Sequence, residues 1–124
     1  MDPIADMLVA IKNGYMAKRS QVLVPYSKFK FEIAKVLEKE NFIGKVQNKD
    51  NLLFIDIIND NKNPKLHQIK KISKLGLRVH VRSKNIKKVK GGRGMFIIST
   101  PQGVMTSDDA KKKNLGGEVI CEVW

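Results

Sequence analysis

Few side chains in this 124-residue chain have the type and spacing needed to make or break bonds. Its only imidazoles are His67 and His80, and its only thiol is Cys121. Three such groups, far apart in the chain, do not form a metal-ligand set or an activated nucleophile. His80 alternates with Arg78 and Arg82, the pattern of an imidazole exposed on a cationic strand face, free to meet a partner. Cys121 sits among apolar residues and reads as a buried thiol. Asp108 and Asp109 are adjacent, and adjacent helix positions do not face each other. A place in the first turn of a helix accounts for both carboxylates. The glycines of Gly91-Gly92-Arg93-Gly94 lack the following Lys-Ser or Lys-Thr of a phosphate loop. No enzyme activity, metal or cofactor is expected.

The chemistry that remains is charge. Lys and Arg total 24 against 12 Asp and Glu, a net +12. Residues 1–60 carry nine basic and eight acidic side chains, whereas residues 61–124 carry fifteen and four. Between Asp60 and Asp108 there is no acid at all, and twelve basic residues, Lys88, Lys90 and Arg93 among them, fall in that gap. Like charges held together destabilise a compact state, so such a run points to a polyanionic partner. A basic membrane-surface protein would carry its charge on an amphipathic helix, but here it lies mainly on expected strands and loops. No apolar run approaches the roughly 18 residues of a membrane span. The start, Met1-Asp2-Pro3-Ile4, lacks a secretory pattern, and one Cys excludes an internal disulfide framework, so a reducing cytosol is the expected compartment.

Aromatic residues are only 6% of the chain, too few for base-stacking platforms. Lys90 to Ile97 contains one aromatic, Phe96, and does not fit the core strand of an RNA-recognition motif. Recognition by charge, hydroxyls and backbone amides suits a folded RNA helix, with its phosphates and 2′-hydroxyls. Ser99-Thr100-Pro101-Gln102-Gly103 is the loop best equipped for it, since small hydroxyls beside a turn approach a groove closely.

Those residues need a scaffold, and the punctuation of the chain outlines one. Asp2 caps a first helix with Pro3 at its first position, and Ile4, Met7, Leu8, Ile11 and Tyr15 recur at helical spacing. Gln21–Pro25 reads as a strand. Ser27 caps a second helix with Phe29, Ile33, Val36 and Leu37 buried and Lys30, Glu32, Lys35 and Glu38 facing water. Residues 45–48 and 52–58 are strands around a turn at Lys49-Asp50-Asn51. Asn59 to Pro64 is the linker. Beyond it, strands are expected at 69–73, 77–82, 95–99 and 119–124, with Leu77, Val79 and Val81 alternating against Arg78, His80 and Arg82. Residues 83–89 suit a helical turn, and Ser107 to Lys113 a short helix capped by Thr106 or Ser107. The expected class is α+β with two small domains. Residues 1–62 form an α-β-α-β-β domain, and residues 63–124 a mostly antiparallel β domain with one short helix that binds RNA.

Asp2-Pro3-Ile4-Ala5-Asp6-Met7-Leu8, Ile11-Lys12-Asn13, Ile72-Ser73-Lys74 and Gly76-Leu77-Arg78-Val79 occur in that order. They are followed by Ile97-Ile98-Ser99-Thr100, Gly103-Val104-Met105-Thr106, Asp109-Ala110 and the ending Gly116 to Trp124. Across its whole length the chain resembles the bacterial small-subunit ribosomal proteins conventionally numbered eight.

The resemblance implies a two-domain α+β protein of the cytoplasmic ribosome that binds small-subunit ribosomal RNA directly in its central domain and supports assembly. Its other implied partners are neighbouring small-subunit proteins and, in many bacteria, its own messenger RNA, whose translation it represses. The family's loop and glycine segment carry over as Ser99, Thr100, Gly117, Glu118 and Cys121. Lys12 and Asn13 match a first-helix contact. The departures are Leu75 for a common proline, His80 for a common aromatic, Arg93 for a frequent apolar residue, and Pro101 for the usual third loop serine. Pro101 removes a hydroxyl and an N–H and shifts weight to Gln102. The alternative from composition is a general nucleic-acid-compacting protein that binds DNA.

Overall fold

The computed structural model describes residues 2–58, 68–74, 76–86 and 94–124. Its elements form two compact units, Met1–His67 and Gln68–Trp124. The expected linker, and with it the boundary at residue 62, lies outside the described residues.

In the first unit, helix α1 (Pro3–Met16) begins where Asp2 accepts hydrogen bonds from the N–H groups of Ile4 and Ala5, at 3.1 and 3.2 Å. Strand β1 (Gln21–Pro25) is followed by α2 (Lys28–Lys39), whose cap Ser27 accepts from the Lys30 N–H at 3.2 Å. Strands β2 (Val46–Lys49) and β3 (Leu52–Asp56) form a hairpin through Asp50 and Asn51. Both turn residues have positive φ, 54° and 60°, as a turn matched to strand twist requires. The sheet is antiparallel in the order β1-β3-β2. Met7, Leu8 and Ile11 of α1, Ile33, Ala34 and Leu37 of α2, and Leu53 and Ile55 of β3 are buried. Gly14 does more than close α1. A Cβ there would meet Val22 Cγ1 at 2.7 Å, so the glycine lets the helix lie against β1.

The buried stripe of α2 differs from expectation. It runs through Lys30, Ile33, Ala34 and Leu37, while Phe29 is exposed and Val36 half-buried. Positions 30, 33, 34 and 37 follow the i, i+3, i+4, i+7 rule, and the Lys30 stem can lie along the stripe because four methylenes are apolar.

The second unit is a five-stranded antiparallel sheet with helix α3 (Ser107–Lys112) against it. Its strands are β4 (Ile69–Lys71), β5 (His80–Val81), β6 (Met95–Thr100), β7 (Gly103–Thr106) and β8 (Gly117–Val123). The path is β4-β8-β6-β7, and β5 also pairs with β8. Thr106 caps α3 by accepting from the Asp109 N–H at 3.1 Å, with Asp108 and Asp109 in the first turn as the macrodipole favours. Ile86, Ile98, Met105 and Ala110 form a core cluster, with Val81, Phe96 and Leu115 packed against it.

Of the expected strand 77–82, β5 keeps His80 and Val81, with the Val79 carbonyl also accepting from the Val119 N–H at 2.8 Å, and Leu77 is 65% exposed. The chain turns back first. Lys74 and Leu77 bridge each other, Gly76 takes φ +83°, and the buried Ser73 hydroxyl accepts from the Val79 N–H at 2.9 Å. A side-chain hydroxyl has thus replaced a strand partner. β4 ends at Lys71, but the N–H groups of Ile72 and Ser73 still donate to the Ile120 and Val119 carbonyls at 3.0 and 3.2 Å. The helical turn is a 3₁₀ turn at Ser83–Asn85. Its expected end, residues 87–89, lies outside the described residues.

Candidate nucleic-acid interface

Strand pairing assembles the polar site from segments far apart in sequence. Ser99 of β6 lies opposite Val104 of β7 on one side and Glu118 of β8 on the other. Glu118 in turn lies opposite His80 of β5. Directly opposed residues share a sheet face, so Ser99, Glu118 and His80 form one row across three strands. Arg78 Nη1 donates to Glu118 Oε2 at 3.1 Å, which fixes the carboxylate at the centre of the row. No protein hydrogen bond engages the Ser99 hydroxyl among the described residues.

Two glycines permit this closeness. A Cβ on Gly117 would collide with the carbonyl of Ser99, and one on Gly116 would lie 2.5 Å from the Val81 carbonyl oxygen. Backbone approaches this tight are open only to glycine. The row therefore depends on Gly117 as much as on the side chains that flank it.

The loop between β6 and β7 departs from its expected role in one respect. The Thr100 hydroxyl donates to the Gly103 carbonyl at 2.8 Å and accepts from the Gln102 N–H at 3.1 Å. Thr100 is buried, so it holds the turn rather than facing outward. Gly103, at φ +120°, completes the reversal. Pro101 and the Gln102 side chain are left exposed at the tip.

Cys121 is likewise withdrawn from direct contact. It lies one row behind, between Ile97 of β6 and Lys71 of β4, and is fully buried. Burial pushes its thiol up to about 12, partly offset by the Lys71 charge, so it is a protonated packing group. The register shifts between Ile97 and Ile98, whose partners are Cys121 and Val119. The extra residue, Ile120, is a bulge, and it allows Val119, Ile120 and Cys121 all to be buried.

Lys12 and Asn13 lie on α1 of the first unit, half-buried and exposed respectively. Lys88, Lys90 and Arg93 lie outside the described residues. Sequence reasoning missed Arg78 and Arg82 as members of the site. Their signal was the alternation with His80, but only the pairing of β5 with β8 shows which face they share. Beside the row, His80, Val81, Arg82, Ser83, Gly116 and Gly117 line an open cleft of about 500 Å³. Among the described residues no cluster of three or more His, Cys, Asp or Glu could hold a metal. No helix among them is long and apolar enough to cross a membrane. What the face can do is bind: it offers cations, one free hydroxyl and a fixed carboxylate, with backbone brought close to the surface.

The family model described as Ribosomal protein S8 matches residues 2–124. The chain is similar to the small ribosomal subunit protein uS8 of Trichormus variabilis, at 43% identity over 99% of this chain and 97% of the relative. It is 44% identical to the uS8 proteins of Citrifermentans bemidjiense and Caldanaerobacter subterraneus subsp. tengcongensis, with the same coverage.

Proposed function

The chain belongs to the ribosomal protein S8 family, non-enzymatic constituents of the small subunit of the cytoplasmic ribosome, and on that premise we propose that its second unit binds small-subunit ribosomal RNA directly, in the central domain. The observation that carries this reading is the Ser99–Glu118–His80 row, held together by Gly117 in the half of the chain with fifteen basic and four acidic residues. Lys and Arg neutralise phosphates and supply most of the affinity. Ser99, Gln102, Gly117 and Glu118 select one irregular hairpin by shape. Thr100 and Cys121 act from beneath, by holding the turn and the strand. Lys88, Lys90 and Arg93 add to the positive charge of this half of the chain, and Lys12 and Asn13 add a contact from the first unit. Membership of the family, rather than any feature of this surface, supports a role in subunit assembly beside neighbouring small-subunit proteins. A messenger-RNA segment folded like the ribosomal hairpin would compete for it and so repress the chain's own operon.

The test is binding of the full chain to its ribosomal hairpin, a scrambled hairpin and duplex DNA across a salt series. If roughly 5–8 phosphates are neutralised, log affinity falls against log salt with a slope of about −4 to −7. Ser99→Ala costs about 1 kcal/mol on the ribosomal hairpin and nothing on the scrambled one. Equal affinity for duplex DNA would favour a compacting protein instead, and a slope near zero would remove the electrostatic part.

A further inference from the structure

We propose that the cleft lined by His80, Arg82, Ser83 and the two glycines is a seat for an RNA phosphodiester whose charge is completed by a proton on His80, so that the RNA affinity of this chain rises as pH falls. The inference rests on the RNA-binding reading above and adds to it a second contact with its own signature.

The cleft is built rather than incidental. Its wall is where β8 meets the end of β5. A Cβ on Gly116 would lie 2.5 Å from the Val81 carbonyl oxygen and 3.0 Å from Arg82 Cα. The space a side chain at 116 would fill is taken by the backbone of residues 81 and 82, so the glycine seats β8 tightly against the end of β5 and shapes the cleft wall. His80 and Arg82 are two residues apart in extended backbone, so they project to the same face. Both are exposed, and no side-chain partner engages either among the described residues.

The charges around His80 favour an anion. From β8 it faces Glu118, and from β6, across Glu118, the uncharged Ser99. Glu118 is already paired with Arg78. Just past its strand stands Arg82, in extended backbone, and the following 3₁₀ turn carries the exposed Lys84. One bridged carboxylate therefore stands against three cations. Arg supplies a planar fork suited to phosphate, and an imidazolium adds an N–H donor with charge. An imidazole is the side chain that gains or loses charge between about pH 5 and 8. A phosphate set against it favours the charged form, so binding takes up a proton and strengthens toward acid.

The experiment measures affinity of the full chain for the ribosomal and scrambled hairpins at constant ionic strength, from about pH 8 to about pH 5.5. The wild type should gain roughly three- to tenfold in affinity over that range, up to the factor that one pKa unit represents. His80→Gln should show no gain toward acid, its affinity at about pH 5.5 equalling its own affinity at about pH 8, whatever it loses against the wild type at the alkaline end. Arg82→Gln should bind more weakly throughout yet keep a gain. Because both residues are exposed, melting curves should not move. A wild type that prefers its hairpin but is flat with pH overturns the phosphate seat alone. So does a His80→Gln variant that keeps the full gain, because the proton then belongs to the RNA. Loss of hairpin preference at every pH overturns the functional reading itself.

Discussion

The two units are built alike and charged differently. Each is an antiparallel sheet with helix packed against it, and each hides a core of Ile, Leu, Val and Met. Yet the first half balances nine basic residues with eight acidic ones, as in the Lys35–Glu38 pair at 3.1 Å on α2. The second half leaves its charge uncompensated. Its Arg78–Glu118 pair holds a carboxylate in place within a cationic face. Alternation along the strands explains how both can fold: apolar residues point inward whatever the outward residues carry. An uncompensated outer face adds nothing to the core and costs self-repulsion. The first unit is therefore mainly a matter of packing, and the second is packing arranged to display charge.

The contrast is broken most strongly by two substitutions. Ile33→Ala empties a fully buried site on α2 and should destabilise the first unit by about 2–5 kcal/mol. Hairpin preference should survive wherever the chain remains folded. Gly117→Val should do the reverse. Overpacking against the Ser99 carbonyl costs about 1–3 kcal/mol and pulls Ser99 away from Glu118, so preference for the ribosomal hairpin is lost. Denaturant melts read beside hairpin and scrambled-hairpin affinities separate the two outcomes.

A smaller effect sharpens the role of Cys121. Its thiol is held neutral up to about 12 in the fold, against an ordinary value of 9.0. The folded chain therefore keeps a proton that the unfolded chain releases, and this contribution to stability is whole below pH 9 and lost as pH rises toward 12. Alkaline melts should show the decline, and Cys121→Ala should flatten it. At neutral pH a thiol reagent should label Cys121 only as fast as the chain opens.

The smallest effect concerns the display of charge. Lys84→Ala should weaken binding to the ribosomal and scrambled hairpins equally and make the salt slope shallower by about one. A loss confined to the ribosomal hairpin would move Lys84 from general attraction to shape selection.

Much of the fold was legible wherever a residue acts on its own neighbours. Asp2-Pro3 and Ser27 start helices because their side chains reach N–H groups two or three residues away. Asp50 and Asn51 make a hairpin turn because both tolerate positive φ. The errors came where distant partners decide. The Ser73 hydroxyl captured Val79 and exposed Leu77, and α2 buried Lys30 in place of Phe29. In the site, Ser99 and Glu118 were found by type, but Thr100 turned inward because its own turn used its hydroxyl.

Read alone, the amino-acid order determined the element types, the crowding of positive charge into one half, and the lack of catalytic groups, since these depend on spacing and composition. It could not determine that Arg78 meets Glu118 forty residues later, or that Ser99, Glu118 and His80 share a row. Those neighbours exist only after β5, β6 and β8 pair. Register, the bulge at Ile120 and the glycine contact are outcomes of packing the whole sheet, and no short window of sequence contains them.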